Sequence, residues 1–275
     1  MTRHMVRMVG PETWERFACE KQKKCVFLMA MGRSGSTALQ DAMNQLPGVF
    51  IRGENHGMFK YLFNLDQTGS QLTRKFPRRG DPTGAEAEKT RYHEFVKARN
   101  KPAWYSNFEP GVAECAKTSY FKRLFGYGDF QDYTVGFKEI RHNTNLNSLL
   151  DVKFASPWTL RYRNGTRYKT YDVYIDFFKS LCTDSKIIFN LRRQYNLTAG
   201  QGFYRGRGKL LERNIRWMHR YAQAHGKKQV HFVYYEDMFD PAKNETVLRD
   251  LARFLGISDD VLAHQDVSFS RLPRI

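Results

Sequence analysis

With 275 residues, the chain is long enough for one α/β domain with a sizeable core. A hydrophobic content of 41% with 15% aromatics suits a globular protein, and no stretch approaches the ~18 to 20 apolar residues of a membrane span. The 45 Lys+Arg outweigh 28 Asp+Glu, a net charge of +17 that attracts polyanions.

Residues 1–23 predict a short amphipathic helix around 11–20, with Pro11 near its first turn. Residues 1–7 lack the apolar core of a signal peptide. A cytoplasmic protein is the expectation, with a truncated luminal enzyme as the alternative. An apolar run from Cys25 to Met31 then has the length of a fully buried strand. It breaks at Gly32-Arg33-Ser34-Gly35-Ser36-Thr37. Apolar residues recur at Ala38, Leu39, Ala42, Met43 and Leu46, one face of a helix that Pro47-Gly48 stops. A second strand, Val49-Phe50-Ile51, runs into Arg52-Gly53-Glu54.

A strand, a glycine-containing loop and a helix N-terminus make an anion cradle. The backbone N–H groups of Gly35, Ser36, Thr37 and Ala38, the hydroxyls of Ser34, Ser36 and Thr37, and the forked guanidinium of Arg33 are its candidate donors. The ATP/GTP loop G-x-x-x-x-G-K-[ST] fits poorly. Aligned on Gly35 and Thr37, Ala30 stands at the first glycine and Ser36 at the lysine.

Residues 55–63 form a candidate helix on the rim of this site. Residues 66–130 are polar with many Gly, Pro, Lys and aromatic residues, with an exposed loop around 74–84, helical periodicity over 86–99 and an aromatic stretch at Trp104-Tyr105. Long insertions of this kind build lids and binding walls, so acceptor contacts are expected there. Residues 133–141 read as a third strand that delivers Lys138, Glu139 and Arg141 at its end. Residues 171–182 form an amphipathic helix. A fourth strand, Lys186-Ile187-Ile188-Phe189-Asn190-Leu191, suits the middle of a parallel sheet and is followed at once by Arg192-Arg193. Residues 210–224 are helical, and 229–237 read as a fifth strand. The alternation of strands and helices predicts a three-layer α/β domain around a mostly parallel sheet. Both arginine-bearing loops then lie at the sheet's C-terminal edge, where ligands of open α/β folds bind.

Several of these segments resemble sulfotransferases that use 3′-phosphoadenosine 5′-phosphosulfate (PAPS). Arg33-Ser34-Gly35-Ser36-Thr37 after a hydrophobic strand is similar to their 5′-phosphosulfate loop. Leu46-Pro47-Gly48-Val49 and Arg52-Gly53-Glu54 resemble the continuation, and the Gly-Glu pair resembles that of tyrosylprotein sulfotransferases, whose glutamate is the base. Gly136-Phe137-Lys138-Glu139-Ile140-Arg141 and Gly202-Phe203-Tyr204-Arg205 resemble segments of bacterial and algal members, and Tyr234-Tyr235-Glu236-Asp237 with the helix after it resembles a structural strand end of the superfamily. The resemblance covers most of 24–60 and 133–257 and is thin in 61–132. It implies a P-loop-like sulfotransferase fold as a single domain over 1–275, with a substrate-binding insertion around 61–132.

The resemblance also implies the chemistry. Sulfuryl transfer from PAPS would go to a hydroxyl or amine of a small-molecule or carbohydrate acceptor. Arg33, Ser34, Gly35, Ser36, Thr37 and Ala38 would hold the 5′ end, and Arg192, Arg193 and Gln201 the 3′-phosphate. The superfamily has a serine eight residues after its arginine; eight past Arg192 stands Gly200 and eight past Arg193 stands Gln201, with Thr198 one turn earlier, and the resemblance of Gly202-Phe203-Tyr204-Arg205 favours the frame through Arg193. Glu54 is the expected base and His56 its rival, since many relatives use histidine and its pKa lies near neutrality. Lys138 would steady the transferring group.

Four cysteines, Cys19, Cys25, Cys115 and Cys182, have no metal spacing; free thiols and no metal site are the expectation. Asn164-Gly-Thr, Asn196-Leu-Thr and Asn244-Glu-Thr fit the glycosylation pattern. Two readings compete with sulfuryl transfer. An ATP-dependent, kinase-like enzyme is disfavoured by Ser36 in the lysine position. A basic RNA-binding protein rests on charge alone, with no zinc-finger, RNA-recognition or basic-zipper signature. No nucleic-acid partner and no membrane span are expected.

Overall fold

The computed structural model describes residues 19–53, 59, 62–63, 66, 110–125, 130–139, 170–195, 206 and 208–269. In chain order its elements are β1 (Gln22–Ala30), α1 (Ser36–Gln45), β2 (Val49–Arg52), α2 (Pro110–Arg123), β3 (Thr134–Glu139), α3 (Thr170–Ser180), β4 (Cys182–Leu191), α4 (Gly208–His225), β5 (Val230–Tyr234), α5 (Tyr235–Met238), α6 (Asn244–Leu255) and α7 (Asp259–Ala263). The five strands form one sheet in the order β2-β3-β1-β4-β5, and every pairing is parallel.

β1 lies at the centre because its run can be buried on both faces. Residues 25 to 30 are all at most 2% exposed. Side chains on a strand alternate between faces, so the run divides by parity. Cys25, Phe27 and Met29 join Phe121 of α2, Phe178 of α3 and Trp217 of α4 on one face. Val26 and Leu28 join Leu39 and Met43 of α1 and Leu251 and Leu255 of α6 on the other. β4 divides the same way, with Ile187, Phe189 and Leu191 on the first face and Ile188 on the second.

The apolar stripe expected of α1 is the one the structure buries: Ala38, Leu39, Ala42 and Met43, followed by Leu46. Beyond it the chain turns at Gly48, in the left-handed region at φ 70°. Strand ends differ from the expectations by a few residues. β5 stops at Tyr234, and Tyr235–Met238 turns into the short helix α5 instead of extending the strand to 237. The helix expected at 11–20 and that at 86–99, the loop at 74–84 and the pair Trp104-Tyr105 lie outside the described residues, apart from Cys19 and Glu20, which form a turn and a bend. Of the expected rim helix, the described Phe59, Leu62 and Phe63 are helical and buried.

The free-thiol expectation is overturned. Cys19 is bridged to Cys115 and Cys25 to Cys182, with Cα atoms 4.2 Å and 6.1 Å apart. The partners are 96 and 157 residues apart in sequence, so spacing carries no sign of them. The fold makes the second pairing: the β1–β4 register sets Gln22 beside Cys182 and Cys25 beside Ser185, which brings both sulfurs to one face near the start of the strands. The first ties the approach to β1 to α2, inside the segment expected to be an insertion. α2 also supplies core residues, Phe121 and the buried Lys117, whose Nζ donates to Asp66 Oδ1 at 2.9 Å.

Candidate active site

The β1–α1 loop is held open by two left-handed residues. Gly35, at φ 73°, caps α1, and Arg33, at φ 64°, is the one non-glycine with positive φ among the described residues. A left-handed arginine is uncommon and marks a loop shaped by its surroundings. Those surroundings are visible. Ser34 is fully buried; its Oγ lies 2.5 Å from the Met31 carbonyl and 2.6 Å from Asn190 Oδ1, so its single hydroxyl hydrogen serves those two acceptors. Its N–H also donates to Met31 O, at 3.2 Å. Asn190 in turn donates Nδ2 to the Val233 carbonyl at 3.2 Å. Ser34 therefore pins the loop to β4 and β5 and is not the hydroxyl donor expected from the sequence.

Past Gly35 the donors face outward. The first intrahelical bond of α1 runs from Leu39 N–H to Gly35 O. By helix geometry, the N–H groups of Ser36, Thr37 and Ala38 have no intrahelical acceptor and carry the positive end of the helix dipole. Ser36 is buried, while Thr37 and Arg33 are exposed. Lys138, near the end of β3 and 5% exposed, donates Nζ to Thr37 Oγ1 at 3.1 Å. A lysine from the neighbouring strand thus enters the loop that lacks one of its own. Arg52 of β2 pairs with Phe137, so β2 delivers the chain at Gly53 alongside Lys138.

β4 is the other neighbour of β1, and its C-terminal arginines meet the loop. Arg192 donates Nη1 to the Arg33 carbonyl at 3.4 Å. Its guanidinium lies 4.4 Å over the Tyr235 ring, and that ring packs against Gly35, where an added Cβ would stand 2.8 Å from Tyr235 Cδ2. Arg192 Nε is buried with no hydrogen-bond partner among the described residues; Glu236 Oε1 is 3.9 Å away. A buried guanidinium donor left unsatisfied, beside free helix N–H groups, fits an anionic ligand.

Arg193 points into a different environment. Its fork donates to Asp237, Nη1 to Oδ1 at 2.7 Å and Nη2 to Oδ2 at 2.5 Å, over the Tyr234 ring at 4.3 Å. The hydrogen bonds raise the arginine's pKa further and hold the Asp237 carboxyl below its ordinary value, while burial pushes the Tyr234 phenol up. Glu236 accepts from the backbone N–H groups of Arg193 and Gln194, at 3.1 Å and 3.3 Å, and so shapes the turn after β4. Of the site residues expected from the sequence, Arg33, Gly35, Ser36, Thr37, Ala38, Lys138 and Arg192 are brought together at one sheet edge. Glu54, His56 and Gln201 lie outside the described residues.

Asn190 and Tyr235 were not expected at the site. Asn190 had a signal, a polar residue inside an apolar strand; Tyr235 had none, because it acts through packing. Among the described residues no group of three or more His, Cys, Asp or Glu gathers as for a metal, and no helix is long and apolar enough to cross a membrane.

The profile of the Sulfotransferase family matches residues 25–260, from β1 to α7. The chain belongs to this family. Three solved sulfotransferase structures are similar to it. The sulfotransferase domain of the olefin synthase of Synechococcus PCC 7002 is 16% identical, with 88% of this chain and 77% of that one covered and a TM-score of 0.45. A sulfotransferase of Mycobacterium tuberculosis is 12% identical, with 92% and 73% covered and a TM-score of 0.38. One of Mycobacterium avium is 13% identical, with 92% and 69% covered and a TM-score of 0.37. No curated protein matches. The family match spans the anion loop, Lys138 and Arg192.

Proposed function

We propose that this sulfotransferase moves a sulfuryl group from PAPS to a hydroxyl or amine of a small-molecule or carbohydrate acceptor, as one domain over 1–275 whose acceptor walls come from around 61–132. One observation carries the reading of the donor. The β1 and β4 loops each present an arginine, and Arg192 reaches across to the Arg33 carbonyl, which supports reading this edge as a site for two anions. A nucleotide phosphorylated at both its 3′ and 5′ ends matches that pair.

PAPS, when bound, supplies an activated sulfuryl group on a phosphate leaving group. The chain's part is to hold it and manage charge and protons. The N–H groups of Ser36, Thr37 and Ala38, with Arg33, neutralise the charge that grows on the departing 5′-phosphate. Lys138, placed by its bond to Thr37, adds a positive charge at the same end. The 3′-phosphate is assigned first to Arg192, because the Arg193 fork is taken by Asp237. Gln201 and Thr198 complete that pocket in our reading. As the acceptor oxygen or nitrogen bonds to sulfur and the sulfur–oxygen bond to phosphate breaks, the acceptor's proton passes to the Glu54 carboxylate, with His56 as the rival base. The reaction so written needs no divalent ion. Two disulfides favour an oxidising compartment over the cytoplasm expected from the sequence.

Calorimetric binding of adenosine 3′,5′-bisphosphate, against ADP with magnesium, tests the donor assignment on the wild type and on Arg33→Ala. Metal-free binding of the bisphosphate that falls at least tenfold in the variant is expected. A preference for magnesium-ADP would overturn the reading in favour of a kinase-like enzyme. Glu54→Gln and His56→Gln, assayed for transfer of labelled sulfate to candidate acceptors, separate the two bases.

A further inference from the structure

Helix α4 carries a stripe of cations that the donor site does not use. Lys209, Arg213, Arg216 and Arg220 are all exposed. Their spacing of four, three and four residues puts them within an arc of about 60° on the helix, a row about 17 Å long. The opposite side of the helix is the core face, with Leu211, Met218 and Tyr221 buried. A helix face that is merely solvated mixes signs, since like charges one turn apart oppose each other. Here three successive like-charged pairs are retained. Glu212 alone answers them, 3.4 Å from Arg216. Lys209, Arg213 and Arg220 have no acidic partner among the described residues.

The row has a direction. α4 follows β4 in the chain and returns to the start of β5, which pairs parallel to β4. Lys209 is therefore at the donor-site end and Arg220 towards the far edge of the sheet. A linear polyanion lying on the row would run from the site down the side of the molecule.

We propose that the α4 row binds an anionic polysaccharide and holds the acceptor chain beside the site, an extension that rests on the carbohydrate-acceptor reading above. Arginine forks suit the sulfate and carboxylate groups of such a polymer. RNA fits less well: its single strands are recognised by stacking bases on aromatic rings, and of the rings of α4 Trp217 and Tyr221 are buried while His219 and His225 are already stacked, on Phe232 and Tyr221. The disulfides also favour a compartment where polysaccharides, not RNA, are met.

The test uses the full chain and heparin as probe. One variant replaces Lys209, Arg213, Arg216 and Arg220 by Gln; a charge-matched control replaces Lys23, Lys24, Arg249 and Arg253 by Gln. The row variant is expected to bind heparin at least tenfold more weakly, with the slope of log affinity against log salt reduced by about 2 to 3. The control is expected to change less than threefold. Equal losses in both would show a general charge effect and overturn the proposal. Competition by poly(U) at equal phosphate-to-sulfate charge would overturn it in favour of nucleic acid. Binding of adenosine 3′,5′-bisphosphate is measured on all three proteins. Its absence from the wild type would defeat the donor reading while leaving the heparin result to stand or fall alone; its retention in the row variant shows that the fold survives.

Discussion

Gly35 and Gly48 offer a matched pair of substitutions that separates backbone strain from packing at the anion loop. Both glycines are left-handed, at φ 73° and 70°. An alanine in that region costs about 1–2 kcal/mol. At Gly48 the added Cβ meets nothing within 4 Å, so Gly48→Ala should lose that amount and no more. At Gly35 the Cβ would lie 2.8 Å and 3.3 Å from Tyr235 ring carbons and 3.4 Å from Phe239. The Tyr235 ring cannot swing freely, because the Arg192 guanidinium covers it at 4.4 Å. Overpacking of this kind adds about 1–3 kcal/mol. Gly35→Ala should therefore cost about 2–5 kcal/mol in urea unfolding. It should also weaken binding of adenosine 3′,5′-bisphosphate at least tenfold, since moving Tyr235 unseats Arg192; Gly48→Ala should leave binding within threefold. Equal stability losses with unchanged binding in both variants would refute the claim that Tyr235 gauges the distance between the two loops.

Ser34→Ala should cost about 1–3 kcal/mol, because it leaves Asn190 Oδ1 buried without its donor; adding Asn190→Leu should recover part of that loss, and strict additivity would mean the pair does not interact. Lys138→Met should lower kcat by about 10²–10³ if the lysine steadies charge during transfer, with bisphosphate binding within a few-fold; an unchanged kcat would make the lysine a packing residue. His231 carries a pH dependence. Burial holds its pKa below the ordinary value, with the Asp250 charge opposing, and it stacks on Phe254 at 5.1 Å. The unfolded chain binds the proton first as pH falls below about 6.5. The contribution of neutral His231 is thus complete above that pH and lost as pH falls through the lower folded-state pKa. The Tm of the wild type should decline between pH 7 and 5 more than that of His231→Gln, and parallel declines would assign the acid sensitivity elsewhere.

The sheet was legible because its strands announce themselves individually. Buried runs such as 25–31 and 186–191 need no partner to be recognised, and the parity of β1 follows from the residue alternation itself. The anion loop was legible for a related reason: its donors are contiguous, and a helix N-terminus supplies its field whatever the rest of the fold does. What stayed hidden depends on register between segments far apart in sequence. The Cys25–Cys182 bridge exists because β1 and β4 pair, and no count of intervening residues predicts that. Ser34 looked like one more hydroxyl for the ligand; only the meeting of β1 with β4 turns it inward onto Asn190.

The adjacent arginines show the same principle acting on function. Arg192 and Arg193 are chemically identical and differ by one position, so composition ranks them equally and the spacing to Gln201 favours Arg193. The structure separates them because successive residues leave the strand end in different directions. Arg193 meets Asp237 and Tyr234, spends its fork on a carboxylate and serves to fasten the turn after β4 to α5. Arg192 meets Tyr235 and the Arg33 carbonyl, has its nearest carboxylate oxygen, Glu236 Oε1, 3.9 Å from Nε, and keeps that buried donor without a hydrogen bond among the described residues. An arginine forked onto a carboxylate must surrender those hydrogen bonds to bind a phosphate, whereas one whose nearest carboxylate lies beyond hydrogen-bond reach keeps donors for it. On that ground Arg193→Ala should act mainly on stability and Arg192→Ala mainly on nucleotide affinity, and a reversed pattern would move the 3′-phosphate to Arg193.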